Sequence, residues 1–196
     1  MMWRRGDRGW IEVICGPMFS GKSEELIRRV TRAAIARIPV QVFKPALDDR
    51  YATEEVVSHS ALSVAAQPVE SAKELLMSID DRTEVVGIDE GQFFDDELVD
   101  VADHLASTGM QVIVAGLDLD YLRRPFEPIP SLCGRAEYVT KTLAVCHRCG
   151  GPALYTQRIV RSDDLVVLGA TGAYEARCRQ CYSPEEGKQE ELAIDS

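Results

Sequence analysis

The run Gly16-Pro17-Met18-Phe19-Ser20-Gly21-Lys22-Ser23 constrains this chain more than any other feature. It fills the pattern G-x-x-x-x-G-K-[ST] and stands between an apolar segment, Ile11 to Cys15, and an amphipathic one, Ser23 to Arg37. A strand running into such a loop and out into a helix is the context that gives the motif its meaning. The glycines let the backbone curl so that successive N–H groups face one anion, and the helix N-terminus adds partial positive charge. Lys22 then reaches the β and γ phosphates of a nucleotide, and Ser23 offers a hydroxyl to Mg²⁺. In the helix, Ile27, Val30, Ala34 and Ile38 recur every three or four residues, and Pro39 ends it. Glu24 and Glu25 favour its first turn, each with an arginine four residues on.

Further along, Val40 to Phe43, Val85 to Ile88 and Val112 to Ala115 read as buried strands, and Ser71 to Ile79 and Leu98 to Leu105 as helices. Ser71 with Glu74 supplies a cap for the first of these helices, and Gly109 ends the second. Residues 45–60 read as an irregular loop with a short strand near Val56-Val57, and Pro125, Pro128 and Pro130 as breaks in regular structure. Alternating strands and helices predict an α/β fold, a P-loop NTPase-like, mostly parallel sheet flanked by helices. Ligands of such sheets sit at the carboxyl ends of the strands. Asp89, directly after Val85 to Ile88, therefore reads as the Mg²⁺ carboxylate beside Ser23, and Glu90 as a base next to the γ-phosphate. Spacing leaves open whether that base activates water, as in an ATPase, or a substrate hydroxyl, as in a kinase.

Four of the six cysteines form two C-x-x-C pairs, Cys146 with Cys149 and Cys178 with Cys181. Such pairs suggest a four-thiolate zinc site, closed to water and therefore structural. Disulfides are the competing reading; the pairing and the lack of a signal-like apolar block favour metal in a reducing, cytoplasmic setting. Cys15 and Cys133 read as buried small hydrophobes. Leu154 to Val160 and Leu165 to Leu168 read as a hairpin between the pairs. The chain divides into a flexible N-terminus (1–9), a nucleotide-binding unit (10–144), a small zinc-binding unit (145–182) and a flexible acidic tail (183–196). A net charge of −10 opposes duplex nucleic acid and anionic membrane as partners, and no apolar run approaches the ~20 residues of a membrane helix.

Four features in order resemble the cytosolic thymidine kinases of the zinc-containing, P-loop type: Gly16 to Ser23 with its Pro-Met-Phe-Ser filling, Asp89-Glu90-Gly91-Gln92-Phe93-Phe94, Arg123-Arg124-Pro125-Phe126, and the two C-x-x-C pairs. The resemblance runs from about Gly9 to Tyr182. It implies transfer of the γ-phosphate of ATP to the 5′-hydroxyl of thymidine, a homotetramer and feedback inhibition by dTTP. It implies Glu90 as catalytic base, Asp89 as the Mg²⁺-linked aspartate, and Gln92 and Arg50 on the ATP side, Arg50 from the flexible Asp48-Asp49-Arg50-Tyr51 loop. It further implies that a zinc-pinned "lasso" carrying Thr156, Leu165, Val167 and Tyr174 closes over the base, with Met18, Phe93, Leu117 and Tyr121 completing the pocket. Family members often have phenylalanine where Tyr121 stands.

Overall fold

A computed structural model describes residues 9–46, 55–57, 63–160 and 172–183. Arg50, Leu165, Val167, the end of the acidic tail and most of the 45–60 loop lie outside the described residues. The chain opens with β1 (Trp10–Cys15), α1 (Lys22–Ile35), β2 (Val40–Pro45), β3 (Glu55–Val57), β4 (Ser63–Ala65), β5 (Gln67–Val69) and α2 (Ala72–Met77). It continues with β6 (Val85–Ile88), α3 (Glu97–Ser107), β7 (Gln111–Gly116), α4 (Ile129–Arg135) and β8 (Tyr138–Lys141). Four short strands finish it: β9 (Ala144–Val145), β10 (Pro152–Ala153), β11 (Tyr155–Arg158) and β12 (Tyr174–Arg177).

Six strands form one sheet in the order β5-β2-β6-β7-β1-β8, and every neighbouring pair is parallel. Alternation along β1 sends Ile11, Val13 and Cys15 into one core and Ile14 into the other. The first core is closed by Leu75 of α2, Leu98 and Leu105 of α3, and Ile129 and Leu132 of α4. Leu26, Ile27 and Val30 of α1 close the second. The helix that follows the phosphate loop thus rests on its own face of the sheet. The α/β layers agree with the expectation from the sequence. Ser71 caps α2 as read, its Oγ accepting from Glu74 N at 3.2 Å.

Two departures have physical causes. Pro128 and Pro130 do not only interrupt: they start α4, where the first turn has no use for the missing N–H. The edge strand β8 escaped notice because Tyr138 and Val139 are both exposed, giving no apolar period to read. In the C-terminal part, β11 pairs antiparallel with β12, Tyr155 opposite Arg177 and Arg158 opposite Tyr174. The hairpin partner read from the sequence, Leu165 to Leu168, lies outside the described residues. Around this ribbon, β9 pairs with β10, and the small core is Ala144, Cys146, Ala153 and Ala176 against Cys178 and Cys181.

Candidate active site and metal centre

The loop from Gly16 to Ser23 joins β1 to α1. Gly16 has φ 149°, and a Cβ there would lie 2.4 Å from the carbonyl oxygen of Thr142, so no other residue fits. Thr142 buttresses the loop from the end of β8. Its N–H and its hydroxyl donate to Cys15 O at 2.8 and 3.0 Å, and its Oγ1 lies 2.8 Å from Ser20 Oγ. Ser20 Oγ also donates to Pro17 O, at 2.7 Å. Gly21, at φ 78°, caps α1. Lys22 is half-buried, and its Nζ donates to Pro17 O at 2.8 Å. Burial lowers its pKa, while Glu90 and Asp89 pull the other way.

The acidic pair stands at the carboxyl end of β6. Asp89 N donates to Phe43 O at 3.0 Å, and Ser23 Oγ donates to Asp89 Oδ1 at 3.2 Å. Burial and the neighbouring Glu90 push the Asp89 carboxyl up to about 7. A buried carboxylate and a hydroxyl from α1 form a hard oxygen set suited to Mg²⁺. Glu90 sits in the left-handed region at φ 51°, which turns its side chain out of the strand direction. Gln92, buried in the single turn Gly91–Phe93, donates from Nε2 to Glu90 Oε2 and accepts Leu117 N on Oε1 at 2.9 Å. Gln92, placed on the ATP side by resemblance, thus has its amide engaged at both ends and orients the carboxylate. Gly116 makes room: a Cβ there would meet Gln92 Oε1 at 2.8 Å and Ile129 Cδ1 at 2.6 Å.

Two neighbours of this site were missed in the sequence. Thr142 carries no motif. Lys44 follows Phe43, whose carbonyl holds Asp89, and alternation turns it to the α1 face with Val42. Burial lowers its pKa and Asp89 opposes that shift. A lysine at the carboxyl end of an apolar strand was the signal available.

The four cysteine sulfurs of the two pairs lie within 4.8 Å of one another. Cys149 Sγ and Cys178 Sγ are 3.6 Å apart, and all four cysteines are free. Tetrahedral zinc with bonds of about 2.3 Å sets its sulfurs about 3.8 Å apart, whereas a disulfide needs about 2.05 Å. The donor set fits zinc. Burial works against the Cys146 thiolate, but N–H groups of Cys178, Cys149 and Arg148 hold its pKa down to about 6. His147, the other conceivable ligand, is engaged elsewhere: its Nδ1 accepts Ala176 N at 3.2 Å, and its ring meets Phe19 edge-on at 5.8 Å.

Among the pocket residues implied by resemblance, Met18 and Thr156 are joined directly, Met18 N donating to Thr156 Oγ1 at 3.0 Å. Phe93 meets Phe126 edge-on at 6.0 Å, next to the Glu90 turn. Leu117 is tied to Gln92, and the Tyr121 carbonyl accepts from Tyr182 Oη at 2.7 Å. Arg123 stacks over Tyr155 and Tyr182 at 5.0 and 5.1 Å.

A parallel sheet with a phosphate loop after its first strand and the acidic pair Asp89-Glu90 at the end of β6 defines a P-loop nucleotide-binding enzyme, here with a cluster of four cysteines suited to holding a metal. The family model described as "Thymidine kinase" matches residues 9–182. The chain is also 55% identical over 179 residues to the thymidine kinase of Rhodothermus sp. (strain ITI 518), covering 91% of this chain and 84% of that one. The chain belongs to the thymidine kinase family, and phosphorylation of thymidine is the activity that membership carries. The choice between water and a substrate hydroxyl, open on spacing alone, falls to the hydroxyl. Among the described residues no helix is long and apolar enough to cross a membrane.

Proposed function

We propose that the chain transfers the γ-phosphoryl group of ATP to the 5′-hydroxyl of thymidine, giving dTMP and ADP, with Glu90 as the base. The observation that carries this is the Leu117–Gln92–Glu90 chain of hydrogen bonds, which aims one carboxylate from the end of β6 toward the Lys22 side of the site. The 5′ oxygen forms the new bond to the γ-phosphorus, the bond to the β,γ-bridging oxygen breaks, and the hydroxyl proton passes to Glu90 Oε. N–H groups of the phosphate loop and Lys22 hold the triphosphate, while Arg50 steadies the transferring group. Positioning and charge stabilisation are what such a transfer needs. Ser23 and Asp89 would hold Mg²⁺, which neutralises charge between the β and γ phosphates when bound.

Thymidine sits under the C-terminal unit, with Met18, Phe93, Leu117 and Tyr121 on one side and Thr156, Leu165, Val167 and Tyr174 on the other. Cys146, Cys149, Cys178 and Cys181 hold zinc, which ties down that cover. The boundary near residue 145, the homotetramer, feedback by dTTP and a cytoplasmic location belong to the same proposal and rest on the family resemblance.

Glu90→Gln tests the base. Turnover should fall by roughly 10²–10⁴-fold, the typical contribution of a general base, with thymidine affinity within a few-fold of wild type by calorimetry. Near-normal turnover would refute the assignment.

A further inference from the structure

Arg158 is buried at 3% exposure on β11, where it stands directly opposite Tyr174 of β12. Its Nη2 donates to Tyr174 Oη at 3.0 Å. The guanidinium carbon lies 3.7 Å from the centre of the Tyr121 ring, which comes from the loop after β7. One cation thus touches a tyrosine from each unit of the chain. We propose that Arg158 is the positioning residue of the nucleoside pocket, clamping Tyr121 and Tyr174 into one wall; this rests on the thymidine pocket proposed above.

A fully desolvated guanidinium is tolerated only where fixed partners replace water. A ring face at van der Waals distance and a phenol oxygen supply two of them. The same stacking removes rotational freedom from both rings, so the wall is set before a ligand arrives. The geometry is specific to arginine: its planar group lies flat on one ring while its edge reaches the second, and an ammonium cannot do both. Thr156, on the same strand two residues earlier, is occupied with Met18 N of the phosphate loop. The strand therefore serves two neighbours, the loop through Thr156 and the wall through Arg158. The clamp lies away from the cysteine cluster in the register of β11 and β12, at the Arg158–Tyr174 end rather than the Tyr155–Arg177 end that precedes Cys178.

Arg158→Gln and Arg158→Lys should each raise KM for thymidine at least tenfold, with KM for ATP within twofold and zinc content unchanged. Tyr121→Leu should do the same, and Arg158→Gln with Tyr121→Leu should be no worse than the worse single change. Rescue by lysine, or KM values for both substrates rising together, would show a merely structural role. Denaturant unfolding reads the clamp without substrate: the midpoint shifts of Arg158→Gln and Tyr121→Leu should be non-additive, and Tyr121→Phe, which keeps the ring face, should retain the coupling to Arg158. Additive shifts in an active enzyme overturn the clamp alone. A wild-type protein that fails to phosphorylate thymidine overturns the reading beneath it, and the nucleoside role with it.

Discussion

The sheet unit and the cysteine-framed unit hold themselves together by different means. The sheet buries two layers of large side chains, Phe43, Leu75, Leu98, Leu105, Ile129 and Leu132 on one face and Leu26, Ile27 and Ile113 on the other. Each such side chain contributes roughly 1.5–3 kcal/mol by leaving water. Among the described residues, the apolar core of the smaller unit is three alanines and the cysteines themselves, and the strand β11 is buried with polar Thr156, Gln157 and Arg158. Structural zinc contributes about 10–16 kcal/mol in comparable small units, so a metal held by the four cysteines would take the place that leucines hold in the sheet. The lesson concerns function. The phosphate loop sits on the part packed by large side chains, whereas the proposed nucleoside pocket draws residues from both parts.

The largest expected effect comes from removing the metal. Stripping zinc with a strong chelator, or Cys149→Ser, should abolish thymidine turnover while binding of ATP and the far-ultraviolet signal of the sheet persist. Loss of everything in a single transition would erase the distinction between the units. Phe43→Ala probes the other side. It should cost about 3–5 kcal/mol by denaturant unfolding, with zinc still bound in the native protein. Loss of zinc in parallel with the fold at low denaturant would mean one cooperative body.

Thr156→Val sharpens the comparison at the seam. It removes the acceptor from Met18 N, at about 1–3 kcal/mol if that N–H stays unpaired, and should weaken ATP and thymidine binding together. An effect on thymidine alone would place Thr156 wholly on the nucleoside side. The smallest effect belongs to a surface cluster on α1. Arg28 and Arg29 hold the Glu25 carboxyl at about 2, below its ordinary 4.5. A depressed carboxyl contributes stability that is complete above pH 4.5 and fades as pH falls toward 2. Glu25→Gln should therefore lower Tm by a degree or two near pH 7, in keeping with the small worth of exposed pairs, and the gap should close below pH 4.5. A constant gap across that range would mean that the side chain matters for something other than its charge.

Much of this was legible before any coordinates. The phosphate loop, β1, β6, β7, α1 and the cysteine cluster all announce themselves, because glycine placement, unbroken apolar runs and fixed thiol spacing are local signals. What stayed hidden is what the chain does across distance. Thr142 reaches Gly16 and Ser20 from a half-exposed edge strand with no period. Gln92 reads as one more residue of a motif until Leu117 N is seen on its far side. Arg158 looks like a solvated strand end, and only the rings of Tyr121 and Tyr174 explain its burial. Proline at α4 was misread for a different reason: the same residue ends one kind of structure and begins another, and sequence alone does not say which.

The neighbours of β1 set a timetable for synthesis. It lies between β7 and β8, and its loop is braced by Thr142. A ribosome thus releases the phosphate loop early, yet the β7 strand beside β1 and the Thr142 brace emerge only much later. Contacts so distant along the chain form slowly. A nascent fragment ending before Gln111 therefore carries the whole nucleotide motif and no means of gripping a nucleotide, and a young ribosome-bound chain should be blind to ATP until its last third has been made.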